Sequence, residues 1–341
     1  MRSRSADPPR PSRMFQAAFD RLLALPVGST SRMLLFRALR RLYRSLAKGR
    51  NVLVTYSVDG CEIYFPALHE TPFHWKFMPD NSKSLGRIAM ACAGNYPESV
   101  IVDVGANVGD SAAIIRSRGV RNRIISVEGV AEFHDVLVRN AELLGDVTPV
   151  LAFVAASEHR AAANLRVVPG GNAVVYENPD DFGIRAGSLP MIDGEFLKLE
   201  QVVGQHAPGA TVKLLKTDIE GYDLPVLNGS LEFIARHRPL VYLELHVSGQ
   251  DEQVRGVSWR DLWSNLRELG YAQALYWYNS DDFLCMLDLN RDDHVIRDIH
   301  DYFRNRSGRL YLDVCLIHGE DAALAETVYA GEKLHAQALR G

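Results

Sequence analysis

The alternation of apolar and polar positions divides the chain into a helical start, a hairpin and a long strand–helix series. "RMFQAAFDRLLAL" and "SRMLLFRALRRLYRSLAKG" have helical periodicity and are split by "PVGST"; in the second, Leu35, Leu39, Leu42 and Leu46 recur on one face with arginines around the others. "NVLVTYSVDGCEIYFP" alternates around Asp59-Gly60 and predicts a β-hairpin. "SKSLGRIAMACAG" predicts a helix. Strands are then expected near 100–104, 123–128, 149–155, 212–217 and 240–245, and helices near 109–118, 130–143, 223–236 and 258–269. "YAQALYWY" and "RLYLDVCLI" read as two late strands separated by the helical "HVIRDIHDYFRNR". Such alternation with short connections predicts a parallel α/β sheet with helices on both faces. Residues 156–211 are irregular, rich in Gly, Asn and Pro, and are expected to form a substrate loop.

These boundaries divide the 341 residues into a basic disordered and helical segment (1–50), a hairpin-and-helix subdomain (51–98), an α/β domain (99–319) and a C-terminal helix (320–341). Residues 1–12, polar and with three prolines, are expected to be disordered.

Charge is unevenly distributed. Residues 1–50 hold twelve Lys/Arg and two acids, leaving 26 basic against 40 acidic residues in the rest. An acidic body argues against a nucleic-acid substrate. The basic N-terminal helices are expected either to cap the main domain or, through residues 12–48, to touch the inner face of an anionic membrane. Arginine interrupts every apolar run there, which argues against a secretory signal, and no stretch is apolar for the roughly 20 residues a bilayer requires. The four cysteines are scattered without zinc or redox spacing, as expected of free thiols in the cytoplasm.

The chemistry begins at "VIVDVGANVGD". A buried strand runs into Asp103, and Gly105, Asn107 and Gly109 lead into a helix. This is neither the G-x-G-x-x-G dinucleotide fingerprint nor a P-loop, so a pyrophosphate is not the expected ligand. Glu128 closes the next strand, where a carboxylate can accept ribose hydroxyls. Loop and acid together point to a nucleoside cofactor without phosphates, such as S-adenosylmethionine. A second constellation lies in "VKLLKTDIEGYDLPVLNG" and "PLVYLELH": Asp218 and Glu220 at one strand end, Glu244 and His246 at another. Ionisable groups gathered at a sheet rim commonly serve acid–base or metal chemistry. Taken singly, Asp218 could be a helix cap, Glu244 a partner of Lys216, and His246 a satisfied edge histidine.

The order of "VDVGANVGD", the Glu128 strand end, "LKTDIEGYDLPVLNG" and "PLVYLELH" resembles the FkbM family of S-adenosylmethionine-dependent methyltransferases, over roughly residues 99–247. The resemblance implies a Rossmann-like seven-stranded sheet, with O-methylation of a sugar, glycan, glycolipid or secondary metabolite as the usual activity. It would put the cofactor on Asp103, Gly105, Asn107, Gly109 and Glu128, and the catalytic rim on Asp218 and Glu220. Gly129 stands where the family usually has proline, and "EFLKLEQVV" where it often carries a Leu-Asp-Asp segment.

Methyl transfer to a hydroxyl needs alignment with the sulfonium and a base for the proton. Asp218 and His246 are the candidate bases, with Glu220 and Glu244 orienting them. A metal-free arrangement is expected; the variant is Mg²⁺ held by Asp218, Glu220, Glu244 and a water. The rival functions are a nicotinamide-dependent oxidoreductase and a non-catalytic Rossmann-like binding protein. "LHETPFHW" holds His69, Glu70 and His74 but not the H-E-x-x-H spacing, and Pro72 argues for a loop under the pocket rather than a zinc helix.

Overall fold

A computed structural model of the chain describes residues 10–156, 159–168, 171–176, 191–247, 252–253, 256–304 and 311–338. The main sheet has eight strands, in spatial order Val147–Leu151, Ile124–Glu128, Val100–Val104, Val212–Thr217, Leu240–Leu245, Leu312–His318, Tyr271–Tyr278 and Phe283–Asp288. The first five run parallel, and the remaining pairings are antiparallel, so that Leu312–His318 and Phe283–Asp288 run against the other six. The sheet is therefore mixed rather than wholly parallel, with eight strands instead of the expected seven. The additional edge strand, Phe283–Asp288, hairpins onto Tyr271–Tyr278. Val100–Val104 and Ile124–Glu128 are buried at every residue, because helices cover both faces.

From Val100–Val104 the chain steps outward one way to Ile124–Glu128, and later the other way to Val212–Thr217. That reversal opens a crevice at the carboxyl ends of the strands.

The described residues of the expected irregular excursion include three strands and a helix, Leu199–His206. His159–Val168, Asn172–Tyr176 and Met191–Leu197 join Phe153–Val154 in a separate four-stranded sheet. The expected helix over 223–236 is two short helices, Asp223–Gly229 and Leu231–His237, broken at Ser230.

The N-terminal region packs on this frame. Helix α1 (Arg13–Ala24) lies on the hairpin Val52–Val58/Cys61–Pro66, and α2 (Thr30–Ala47) packs against α1. Asp59 and Gly60 both take positive φ, as a two-residue hairpin turn requires. Arg10–Pro11, expected to be disordered, pairs with Val52–Leu53 instead; residues 1–9 lie outside the described residues. Phe19, Phe36, Phe65 and Phe73 share one apolar core with Val108, Ile114 and Phe133 of the main domain. Buried Asn140 joins the two parts: its side chain accepts from Tyr64 N–H at 2.7 Å and donates to the Tyr64 and Val108 carbonyls at 2.8 and 2.7 Å. In α2 the inward residues are Phe36, Tyr43 and Ala47, whereas Leu35, Leu39, Leu42 and Leu46 face outward. "LHETPFHW", expected as a loop, contains a third helix, α3 (Thr71–Phe77). Pro72 lies in its first turn, where the missing N–H breaks no helical bond.

Candidate active site

A cavity of about 430 Å³ opens at the sheet reversal. Its walls include Gly105, Asn107, Glu128, Val130, Phe133 and Phe153 towards one side of the sheet, and Lys216, Asp218, Glu220, Tyr242, Glu244 and Asp313 towards the other. Glu70, Thr71, His74, Trp75, Asn81 and Ser82 close it from the N-terminal region.

Asp103, at the end of Val100–Val104, is fully buried and does not line the cavity. Its Oδ1 lies 3.1 Å from Lys216 Nζ. Lys216 also donates to the Gly105 carbonyl at 3.0 Å and approaches Asp218 Oδ2 at 3.7 Å. Burial alone would lower the Lys216 pKa, but the carboxylates of Asp103, Asp218 and Asp110 outweigh it and hold the ammonium charged. The alternative in which Glu244 serves only as a partner of Lys216 thus gives way to an Asp103–Lys216 pair.

Gly105 has φ +76, and a Cβ there would fall 1.9 Å from the Asp218 carbonyl oxygen. The absent side chain makes room for the "TDIEG" backbone, so the two constellations touch directly. Gly109, with φ +90, opens the helix Asp110–Ser117 against Leu137 and does not line the cavity. Between them Asn107 has φ +48. Its N–H donates to Glu128 Oε2 at 2.9 Å, its Oδ1 lies 3.1 Å from His69 Nε2, and its Nδ2 donates to the Gly171 carbonyl at 2.8 Å.

The other oxygen of Glu128 accepts from Val130 N–H at 2.7 Å. Burial raises its pKa to about 7, although both amide bonds and Lys216 favour the charged form. Asp110, in the first turn of its helix, also lines the cavity, and burial raises it to about 6.

At the opposite wall Asp218 has a half-exposed side chain. Glu220 takes the left-handed conformation at φ +54, and Gly221 follows at φ +86. Glu244 stands directly opposite Asp313 in the antiparallel register of Leu240–Leu245 with Leu312–His318. Burial pushes Glu244 well above the carboxylate range, and Asp218, Glu220, Asp223 and Asp313 push it further. Asp313 is raised likewise by burial, then by Asp281 and Asp218. His246 lies past the end of its strand and outside the cavity lining; its carbonyl accepts from Trp259 Nε1 at 3.1 Å. Among the described residues, no group of three or more His, Cys, Asp or Glu is arranged to hold a metal ion.

Several lining residues carried no motif. Phe153 stacks on Phe196 with ring centroids 5.0 Å apart. A Cβ at Gly129 would lie 2.1 Å from the Phe153 ring, and one at Gly194 2.6 Å from it. The ring occupies the space that any side chain at position 129 would need, which accounts for glycine where the family usually has proline. In "LHETPFHW" the three polar residues diverge: His69 meets Asn107, Glu70 pairs with Arg40 and Arg44, and His74 lines the cavity.

Residues 103–272 match the methyltransferase FkbM domain family. The chain is similar to methyltransferase sdnD of Sordaria araneosa, with 26% identity over 160 residues, 40% of this chain and 62% of that protein. The chain thus spans less than two thirds of that relative's length. Among solved structures it is similar to the methyltransferase FkbM of Methylobacillus flagellatus KT, with 15% identity, a TM-score of 0.38 and coverage of 80% of this chain and 58% of that one. It is also similar to the plantazolicin methyltransferase BpumL in complex with SAH, with 9% identity, a TM-score of 0.34 and coverage of 69% and 82%. The matched residues 103–272 supply the two sides of the crevice, while residues between Glu70 and Ser82 and between Tyr311 and Asp313, outside the match, complete its walls.

Proposed function

We propose that this chain is an S-adenosylmethionine-dependent methyltransferase that methylates a hydroxyl of a sugar, glycan, glycolipid or secondary metabolite. The observation that carries the reading is a single cavity holding Glu128 and the Asn107 loop on one side and Asp218, Glu220 and Glu244 on the other.

The cavity fits a phosphate-free nucleoside. Among the described residues, no lysine or arginine except Lys216 lines it, and Lys216 is engaged by Asp103 and Asp218. Glu128 keeps acceptor capacity for ribose hydroxyls beyond its two amide bonds. Val130, Phe133 and Phe153 supply apolar walls for a base. S-adenosylmethionine would supply an electrophilic methyl group there.

The chain's own residues then position the acceptor and move its proton. Asp218 is the base, since it lines the cavity and His246 does not. Glu244, held protonated by its buried, acid-rich surroundings, donates a hydrogen bond that orients the acceptor oxygen. Glu220 and Tyr222 border the same wall. Alignment by these groups is the main contribution expected of the protein.

Calorimetric titration with S-adenosylmethionine, S-adenosylhomocysteine and NADH, repeated on Glu128→Ala, tests the reading. Binding of the two sulfur compounds, lost in the variant, supports it. Binding of NADH instead would transfer the protein to the oxidoreductases.

A further inference from the structure

At about 100° per residue, α2 presents three arcs around its axis. Phe36, Tyr43 and Ala47 form the arc packed on the body. Arg37, Arg41, Arg44 and Lys48 form a basic arc, of which Arg37, Arg41 and Lys48 are exposed. The remaining arc, roughly 140° wide, runs through Leu34, Ser45, Ala38, Ser31, Leu42, Leu35, Leu46 and Leu39. Its five leucines are 59%, 57%, 52%, 56% and 38% exposed, in that order. Arg41 borders it on one side and Arg32 on the other, both exposed.

We propose that α2 is an interfacial membrane anchor that lays this leucine arc into the surface of an anionic lipid bilayer. A helix whose polar side is basic and whose opposite side is apolar lies in the plane of such a surface, with its apolar face at the headgroup–acyl boundary. Charge decides between this occupant and a second copy of the chain. α2 contains no acidic residue. Two copies paired along it would bring arginines together with no carboxylate to answer them, whereas anionic headgroups supply that charge to Arg32 and Arg41. The packed arc holds the helix on the body, so the anchor is already formed before contact and no ordering of the segment is needed. No described helix is long and apolar enough to cross a membrane, and the anchor lies on the surface.

The test is co-sedimentation of the full chain with phosphatidylcholine vesicles, with and without phosphatidylserine, at several salt concentrations. Two variants accompany it: Leu39→Ser with Leu42→Ser, and Arg37→Glu with Arg41→Glu. All four positions are exposed, so melting temperature and S-adenosylhomocysteine binding should remain at wild-type values and confirm the fold. Binding is expected with phosphatidylserine only, weakening with salt, and falling on the order of tenfold in each variant. Equal sedimentation with both vesicle types, or none with either, overturns the proposal. So does a dimer in light scattering that the leucine variant converts to monomer, which would make the arc a self-interface.

Discussion

The imidazole Nε2 of His69 lies 3.1 Å from Oδ1 of Asn107, so a side chain from the N-terminal region sets the orientation of the loop that faces the cavity. Thr71 N–H donates to the other ring nitrogen at 3.4 Å, which assigns the proton to Nε2. Burial lowers the His69 pKa to about 4, so the ring is neutral and donates throughout the working range. His69→Leu is expected to weaken S-adenosylhomocysteine binding by the loss of one hydrogen bond, about 0.5–1.5 kcal/mol. His69→Gln, which restores a donor, should recover much of it. Isothermal calorimetry on both variants makes the comparison, and equal losses would reduce His69 to a packing role.

Glu128 predicts a pH dependence. With its pKa raised to about 7 by burial, the carboxylate form that accepts ribose hydroxyls is depleted as pH falls through 7. Affinity for S-adenosylhomocysteine should therefore decline from pH 8 to pH 6. Glu128→Gln should bind more weakly at pH 8 and show a flatter profile. A wild-type profile that stays flat over this interval would detach Glu128 from the ligand.

The Asp103–Lys216 pair predicts a stability effect. Lys216→Met leaves a carboxylate buried without its counter-ion, a change that costs about 3–5 kcal/mol at comparable sites. Asp218→Asn, at a half-exposed position, should cost far less in the same urea titration. It should instead lower kcat by roughly 10²–10⁴-fold once an acceptor is known.

Gly129 and Phe153 should couple. The Phe153 ring is confined by Gly129, Gly194 and Phe196, so it cannot swing away from a new side chain. Gly129→Ala is expected to destabilise by about 1–3 kcal/mol through overpacking. In a Phe153→Leu background the penalty should shrink, which a double-mutant cycle in denaturant measures. Strictly additive losses would place the strain elsewhere.

Glu244 and Asp313 separate charge from hydrogen bonding. Since both are pushed upward by burial and by Asp218, Glu244→Gln preserves a donor and should retain most activity near neutral pH. Glu244→Ala should lose it. Equal losses in the two variants, read as kcat, would make the carboxylate itself the requirement.

Much of this was legible in the residues. The strands at 100–104, 212–217 and 240–245 occur where alternation and apolar runs placed them, because a doubly covered sheet demands continuous burial. The hairpin at Asp59-Gly60 was equally plain, since few dipeptides satisfy two positive φ values. Other features depend on distant partners. Nothing local marks Asp103 for Lys216 rather than for a ligand, and only the register of two adjacent strands brings them together. Phe153 and Phe196 lie in segments whose pairing skips from 153–154 to 191–197, a contact without sequence periodicity. The leucines of α2 show the limit of the moment argument: periodicity identified a face, but the aromatic residues beside it took the core. His246 follows the strand that holds Glu244, and two residues of chain carry it beyond the rim.

The position of Leu312–His318 between Leu240–Leu245 and Tyr271–Tyr278 has a consequence for synthesis on the ribosome. Everything up to Phe283–Asp288 emerges before that strand, with Leu240–Leu245 an open edge and Tyr271–Tyr278 paired only to its hairpin partner. Both wait for a strand translated later, and that same strand brings Asp313 into the cavity wall. A nascent chain paused before it would present two adhesive edges to its neighbours on a polysome, and closing them also completes the cavity wall.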